Sequence, residues 1–185
     1  SVDGESLDGM SQSRITALIE SLKNFSYQPN PAGRVYIDKK NSTKKRPLGI
    51  PFTEDKLVQE IVRMILESIY EPAFSKSSHG FRPNRSCHTA LQQIQNQFTG
   101  VTWFVEGDIH ACFDSFDHHI MVDILRERIA DENFLALVWK MLNAGYMEQW
   151  HYHCSYSGTP QGSGASPILA NIYLSKMDEF AERLK

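Results

Sequence analysis

Apolar residues at helical spacing open the chain. Ile15, Leu18, Ile19 and Leu22 share one face of a helix beginning near Arg14, with Ser11 or Ser13 placed to cap it. Pro29 and Pro31 end that region. Residues 34–39 then alternate as a short strand, 40–44 is turn-like, and 46–51 is extended again. The segment 34–51 therefore predicts a β-hairpin, its prolines confined to the second strand and marking a sheet edge. Thr53, Glu54 and Asp55 open a second helix with a capping residue and first-turn acids. Leu57, Val58, Ile61, Val62, Ile65 and Ile69 give it a broad apolar face, and Pro72 stops it. A turn-rich loop at 78–86 leads into a helix with Leu91, Ile94 and Phe98 directed inward.

Val101, Trp103 and Val105 alternate along 101–109, the pattern of a half-buried strand, and Asp108 sits where that strand leaves the sheet. Helices follow at 118–129 and 133–144, with Gly145 as a C-terminal stop. Residues 148–156 alternate through Trp150, Tyr152 and Cys154 and predict one more strand. The glycine-rich loop 157–167 enters a final helix with Ser166 as cap and Pro167 at the first helical position. That helix should bury Ile168, Leu169, Ile172, Phe180 and Leu184. Residues 1–12 read as irregular, with a tight turn at 2–4. No internal repeat or linker divides the chain.

Composition changes this picture little. The 185 residues suffice for one core, and the apolar and charged fractions are those of a globular protein. No apolar run is long enough to span a bilayer, and no secretory pattern is seen. Cys87, Cys112 and Cys154 are odd in number and widely spaced, which argues against a disulfide framework and for a reducing, cytoplasmic setting. Net charge is −3, yet six of the thirteen residues from Arg34 to Arg46 are Lys or Arg. A basic run is often only a solvated face, but a basic hairpin also suits the gripping of phosphates.

The candidate chemistry lies at turns. Asp108 at a strand end is ordinary turn chemistry, or a ligand for a hard cation such as Mg²⁺. Arg82 and Arg85 either contact a nucleic-acid backbone or tie down their own loop. Alternation sends His151 and His153 to one face and Cys154 to the other, which disfavours a shared zinc site. A glycine-rich loop before a helix lets a ligand approach the backbone. Asp114 and Asp117 belong to a turn and a helix start.

Four stretches, taken together, resemble a reverse transcriptase of the kind encoded by group II introns. They are Arg46-Pro47-Leu48-Gly49-Ile50-Pro51, the loop Ser78-His79-Gly80-Phe81-Arg82-Pro83-Asn84-Arg85-Ser86, Gly107-Asp108-Ile109 with Phe113-Asp114, and Thr159-Pro160-Gln161-Gly162 with Ser166-Pro167 and Leu169-Ala170-Asn171-Ile172-Tyr173-Leu174. They occur in the family's order and spacing across nearly the whole chain.

The resemblance implies an α+β fold: the fingers and part of the palm of a right-hand polymerase, with helices around a small, mostly antiparallel sheet and a basic hairpin in the fingers. Residues 1–100 would form the fingers and 101–185 the partial palm. Asp108 and the Ile109 carbonyl would hold the catalytic Mg²⁺, with Mn²⁺ a possible substitute. Phe113 would exclude the 2′-hydroxyl of the incoming sugar, and the amides of Ala111 and Cys112 would face its triphosphate. Lys39 and Arg46 would clamp that triphosphate, and Gln161 would lie beside the nascent base pair. Arg82, Asn84, Arg85 and Gly162 would contact nucleic acid. Implied partners are dNTPs, an RNA template with a DNA primer, and group II intron RNA bound in a maturase role. A homodimer is allowed, and no membrane is involved.

Two departures stand out. Ser163-Gly164-Ala165 replaces the usual glycine and bulky apolar residues, and the family's Tyr-x-Asp-Asp hairpin does not occur before Lys185. The expectation is a fragment, inactive alone. The alternatives are an RNA-binding module without polymerase activity, a retron or defence reverse transcriptase, or, more remotely, an unrelated metal-dependent hydrolase.

Overall fold

The computed structural model describes residues 9–38, 43, 45–159 and 163–184. The predicted turns at 2–4 and 40–44, Lys39, Gln161 and Gly162 lie outside these residues, apart from Thr43. Helix α1 (Gln12–Lys23) begins where the Ser11 hydroxyl accepts the Arg14 amide at 3.3 Å, as its position predicts. Strands β1 (Ala32–Asp38) and β2 (Lys45–Ile50) pair antiparallel, forming the basic hairpin. Pro47, which has no amide to donate, is tolerated because β2 is an edge of the sheet, whose order is β2-β1-β3-β4.

Helix α2 (Thr53–Tyr70) starts one residue earlier in its cap than expected. Phe52 holds the N-cap position without a side-chain bond, and Thr53 is already helical and buried. Asp55 in its first turn is buried too, accepting from the Tyr27 hydroxyl and from the Asn30 amide at 3.1 Å. That contact fixes the chain between α1 and β1 against α2. Helices α3 (Cys87–Gln97), α4 (His118–Arg126) and α5 (Glu132–Leu142) follow, then strands β3 (Tyr146–Glu148) and β4 (His151–His153), then α6 (Ser166–Glu182). The core is where α2, α4, α5 and α6 meet: Val62, Leu66, Tyr70, Met121, Leu125, Leu135, Val138, Leu142, Leu169 and Ile172. Each large apolar side chain buried there contributes roughly 1.5–3 kcal/mol.

Strand β3 pairs parallel to β1 through Ala32–Tyr146 and Gly33–Met147, and antiparallel to β4. This joins the hairpin to the second half of the chain and gives the expected α+β, mostly antiparallel arrangement.

Several expectations are corrected. Residues 101–109 form no strand: none of them pairs with another described strand, and Trp103 and Val105 stand in solvent. A strand needs a ladder partner for its amides and carbonyls, whatever its side chains favour. The span 148–156 is not one strand but a hairpin broken at Gln149 and Trp150. Leu91 and Ile94 on α3 and Phe98 at its C-cap face outward, as do Ile61 and Ile65 on α2 and Phe180 and Leu184 near the end of the chain. Ser166 is the first residue of α6 and Ala165 its cap, which moves Pro167 to the second helical position. The cysteines are all free, and no helix among the described residues is long and apolar enough to cross a membrane.

Candidate active site

The four motif stretches converge on a turn between residues 108 and 118. Ala111 takes a left-handed backbone (φ 50°), reversing the chain into a 3₁₀ turn at Cys112–Asp114 that the Asp114 amide closes on the Ala111 carbonyl at 2.9 Å. A non-glycine residue in that region carries steric cost, so the surroundings must hold it. They do so from the glycine-rich loop. The Gly158 amide donates to the Phe116 carbonyl and the Thr159 amide to the Phe113 carbonyl, both at 2.7 Å. Buried His118 donates from Nε2 to the Gly158 carbonyl at 2.7 Å, which ties the first residue of α4 to the same loop.

Phe113 is half-buried in a row of rings. Its edge meets Phe81 with centroids 6.3 Å apart and Phe116 at 6.2 Å, and Phe116 lies 4.7 Å from Tyr173 on α6. Phe81 reaches this row from a left-handed position (φ 54°), and Asn171 of α6 donates to the adjacent Gly80 carbonyl at 2.8 Å. Such edge contacts fix ring orientation beyond simple burial. The position of Phe81 within its motif gives no sign in the sequence of a contact with Phe113.

Asp108 is exposed at the mouth of the turn. Its carboxylate lies near enough to Cys112 to help raise that thiol's pKa, after the larger effect of burial. Ile109 is exposed beside it. Arg46 is exposed on β2, and its neighbours Pro47 and Gly49 line a cavity of about 440 Å³ together with Arg34, Tyr146, Asp114, Gly158 and Thr159. The basic hairpin and the Phe113 turn are thus two walls of one cleft. Thr159 Oγ1 is buried at this lining with no hydrogen-bond partner among the described residues. A buried hydroxyl normally finds a partner, and this one was not foreseen from sequence.

The loop 78–86 divides its basic groups. Arg82, expected on a nucleic-acid backbone, is instead turned into its own loop and buried. It forks onto Glu71 with its Nη2 at 2.8 Å, donates from Nη1 to the Ser75 and Ser78 carbonyls at 2.7 and 2.8 Å, and lies over the Phe74 ring. With every N–H committed, it is a clamp for the loop rather than a contact residue. Asn84, left-handed at φ 57°, is exposed, and Arg85 uses Nη1 to reach the Lys76 carbonyl at 3.0 Å.

Asp117 caps α4 by accepting from the amides of His119 at 2.8 Å and Ile120 at 3.0 Å. The Ile120 amide foremost, then that of His119, holds its carboxyl below the ordinary carboxylate range. A carboxyl depressed by folding adds stability above its unfolded pKa and loses it as pH falls through the folded one. Hydrogen-exchange protection of the His119 and Ile120 amides should therefore be flat above the usual aspartate range and drop only in stronger acid. In Asp117→Asn that acid-induced drop should disappear.

No cluster of three metal-ligating side chains occurs among the described residues. Asp108 and the Ile109 carbonyl are oxygen donors, the kind of ligand a hard divalent cation takes.

The reverse transcriptase (RNA-dependent DNA polymerase) family profile matches residues 37–183. The chain is 55% identical over 181 residues to the group II intron-encoded protein LtrA of Lactococcus lactis subsp. cremoris, covering 98% of this chain and 30% of that protein. It is 53% identical to an uncharacterised 91 kDa protein in the cob intron of Schizosaccharomyces pombe, covering 98% of this chain and 22% of that one. The chain therefore spans less than a third of the length of these relatives. Among solved structures, a partial Cas6-RT-Cas1–Cas2 complex superposes with a TM-score of 0.56 at 20% identity, over 98% of this chain and 32% of the other. From the profile match and the convergence of its motifs on one turn, this chain belongs to the reverse transcriptase family and is similar, within it, to group II intron-encoded proteins.

Proposed function

We propose that the chain supplies the fingers, residues 1–100, and the first part of the palm, from residue 101, of an RNA-directed DNA polymerase encoded by a group II intron. Its whole protein would copy intron RNA and, as a maturase, bind that RNA to assist splicing. The observation that carries this reading is the seating of Phe113 between Phe81 and Phe116, on a turn bonded to the glycine-rich loop. A ring held between two others on a turn tied by hydrogen bonds keeps a fixed profile, which is what exclusion of a single hydroxyl group demands.

In this reading Asp108 and the Ile109 carbonyl hold Mg²⁺, which when bound neutralises phosphate charge and orients the triphosphate. Arg46 and Lys39 close over the triphosphate from the hairpin, and the amides of Ala111 and Cys112 face it from the turn. Phe113 excludes a ribose 2′-hydroxyl. The buried Thr159 hydroxyl, without a partner among the described residues, is placed for an ordered water behind the cleft wall. By the resemblance, Gln161 would lie beside the nascent base pair and Gly162 would contact nucleic acid. Asn84 and Arg85 contact the nucleic-acid backbone, and Arg82 supports them from inside the loop.

The test is primer extension on an RNA template, by this chain alone and by the same chain within a protein of its relatives' length. Extension should require Mg²⁺ or Mn²⁺ and be lost in Asp108→Ala. Phe113→Val should raise ribonucleotide incorporation by at least about tenfold, since the gate contributes a discrimination on the order of a kcal/mol or more. Unchanged discrimination in Phe113→Val would remove the gate. Absence of extension with RNA binding retained would leave an RNA-binding module.

A further inference from the structure

The acidic residues of this chain stop at Glu148 and do not resume until Asp178, although 22 of the 185 residues are Asp or Glu. Within that span β3 turns into β4 through Gln149 and Trp150, both left-handed at φ 47° and 67°. A two-residue hairpin loop of this kind ordinarily takes Asn-Gly, because glycine enters the left-handed region without steric cost. Here a tryptophan holds the second position with 95% of its surface exposed. It packs into no core and strains the turn it occupies.

Its surroundings indicate the partner. Tyr152 and Tyr156 are exposed nearby, and His151 and His153 are exposed along β4. From Gln149 to Tyr156 there is no aliphatic side chain and no carboxylate. The one carboxylate beside the turn, Glu148 opposite His151, accepts from the Tyr36 hydroxyl and faces Arg34 at 4.0 Å. Rings set among imidazoles and hydroxyls, with that charge already met by a guanidinium, suit a polyanion that carries flat bases. The sheet also leads away from this tip to the basic hairpin at its other edge.

We propose that Trp150 is a stacking platform for an unpaired base of single-stranded RNA, held out at the tip of the β3–β4 hairpin. This rests on the reading of the chain as part of an RNA-copying, intron-binding protein, and adds to it a contact away from the Phe113 turn.

The experiment measures binding of this chain to fluorescein-labelled, mixed-sequence single-stranded RNA and to its duplex by anisotropy, with melting temperatures for each variant. Trp150→Ala and Trp150→Gly should weaken single-strand binding by about tenfold, as loss of one stacked base does. Trp150→Phe should retain most of the affinity, and duplex binding should not change. Trp150→Gly should melt at or above the wild-type temperature, because glycine fits the turn. Wild-type binding with no loss in the variants overturns the proposal, as does equal weakening on duplex or a loss of affinity that tracks a fall in melting temperature. If the wild-type chain binds no RNA, the RNA-binding reading of this segment falls along with it.

Discussion

Alanine at Gly158 is expected to destabilise the protein by about 3 kcal/mol, combining left-handed strain with steric overlap. Gly158 has φ 80°, and a Cβ there would lie 2.5 Å from the Phe113 carbonyl oxygen and 2.7 Å from Asp114 Cα. These are backbone atoms of a short turn, so neither can yield as a flexible side chain would. Relief requires the loop to withdraw. Withdrawal breaks the Gly158–Phe116, Thr159–Phe113 and His118–Gly158 hydrogen bonds, each 2.7 Å long. Urea unfolding measures the loss, with Gly80→Ala as comparison: a Cβ on Gly80 meets nothing within 4 Å, and that variant should stay within about 0.5 kcal/mol of wild type. Equal midpoints for the two variants would show that the loop does not depend on this close approach.

Replacing Arg82 with alanine should cost about 3 kcal/mol, the penalty of opening a largely buried ion pair from one side. The Arg82 side chain is only 5% exposed, while Glu71 is 27% exposed and can regain some solvation. The carbonyls of Ser75 and Ser78 would lose their donor as well. The effect extends to α6, where Asp178 has its pKa raised by burial first and by Glu182 second, with Arg82 opposing both. Arg82→Lys should recover little, because an ammonium cannot span a carboxylate and two carbonyls as the planar fork does. The decisive comparison is Arg85→Ala. It should leave the urea midpoint near wild type and lower RNA affinity with a shallower salt dependence. Folded Arg82→Ala should weaken RNA binding without changing its salt dependence, since Arg82 only holds Asn84 and Arg85 in place; a shallower salt slope, as in Arg85→Ala, would return Arg82 to the RNA surface.

The distinction between these two arginines was not legible in the sequence, and the reason is physical. A loop rich in donors looks the same whether its donors turn inward or outward. Hydrophobic spacing had a related limit. It located α2, α4 and α5 because their apolar faces meet one another, but spacing identifies a face without saying what covers it. Leu91, Ile94, Phe98 and Phe180 have the spacing and remain exposed. The same holds for 101–109, whose β-favouring residues lack a strand partner among the described residues. The break at Gln149 and Trp150 was hidden for another reason: a two-residue loop keeps the alternation of two in phase, so Trp150, Tyr152 and Cys154 read as one strand. The motifs proved the better guide to the site, since the left-handed turn at Ala111 and the close backbone approach at Gly158 restrict residue type more tightly than burial does.

The parallel register of Ala32 with Tyr146 and Gly33 with Met147 also has a consequence for biosynthesis. On the ribosome, β1 and β2 emerge early and can close their own hairpin, yet the inner edge of β1 stays open until α5 and β3 have been made. Contacts between such distant positions form late, after the entropy of closing the intervening loop has been overcome. Throughout that interval Ala32 and Gly33 present unpaired backbone groups, the kind of edge on which nascent chains associate. The lysines and arginines in and around the hairpin carry like charge beside that open edge, the kind of feature that discourages edge-to-edge pairing.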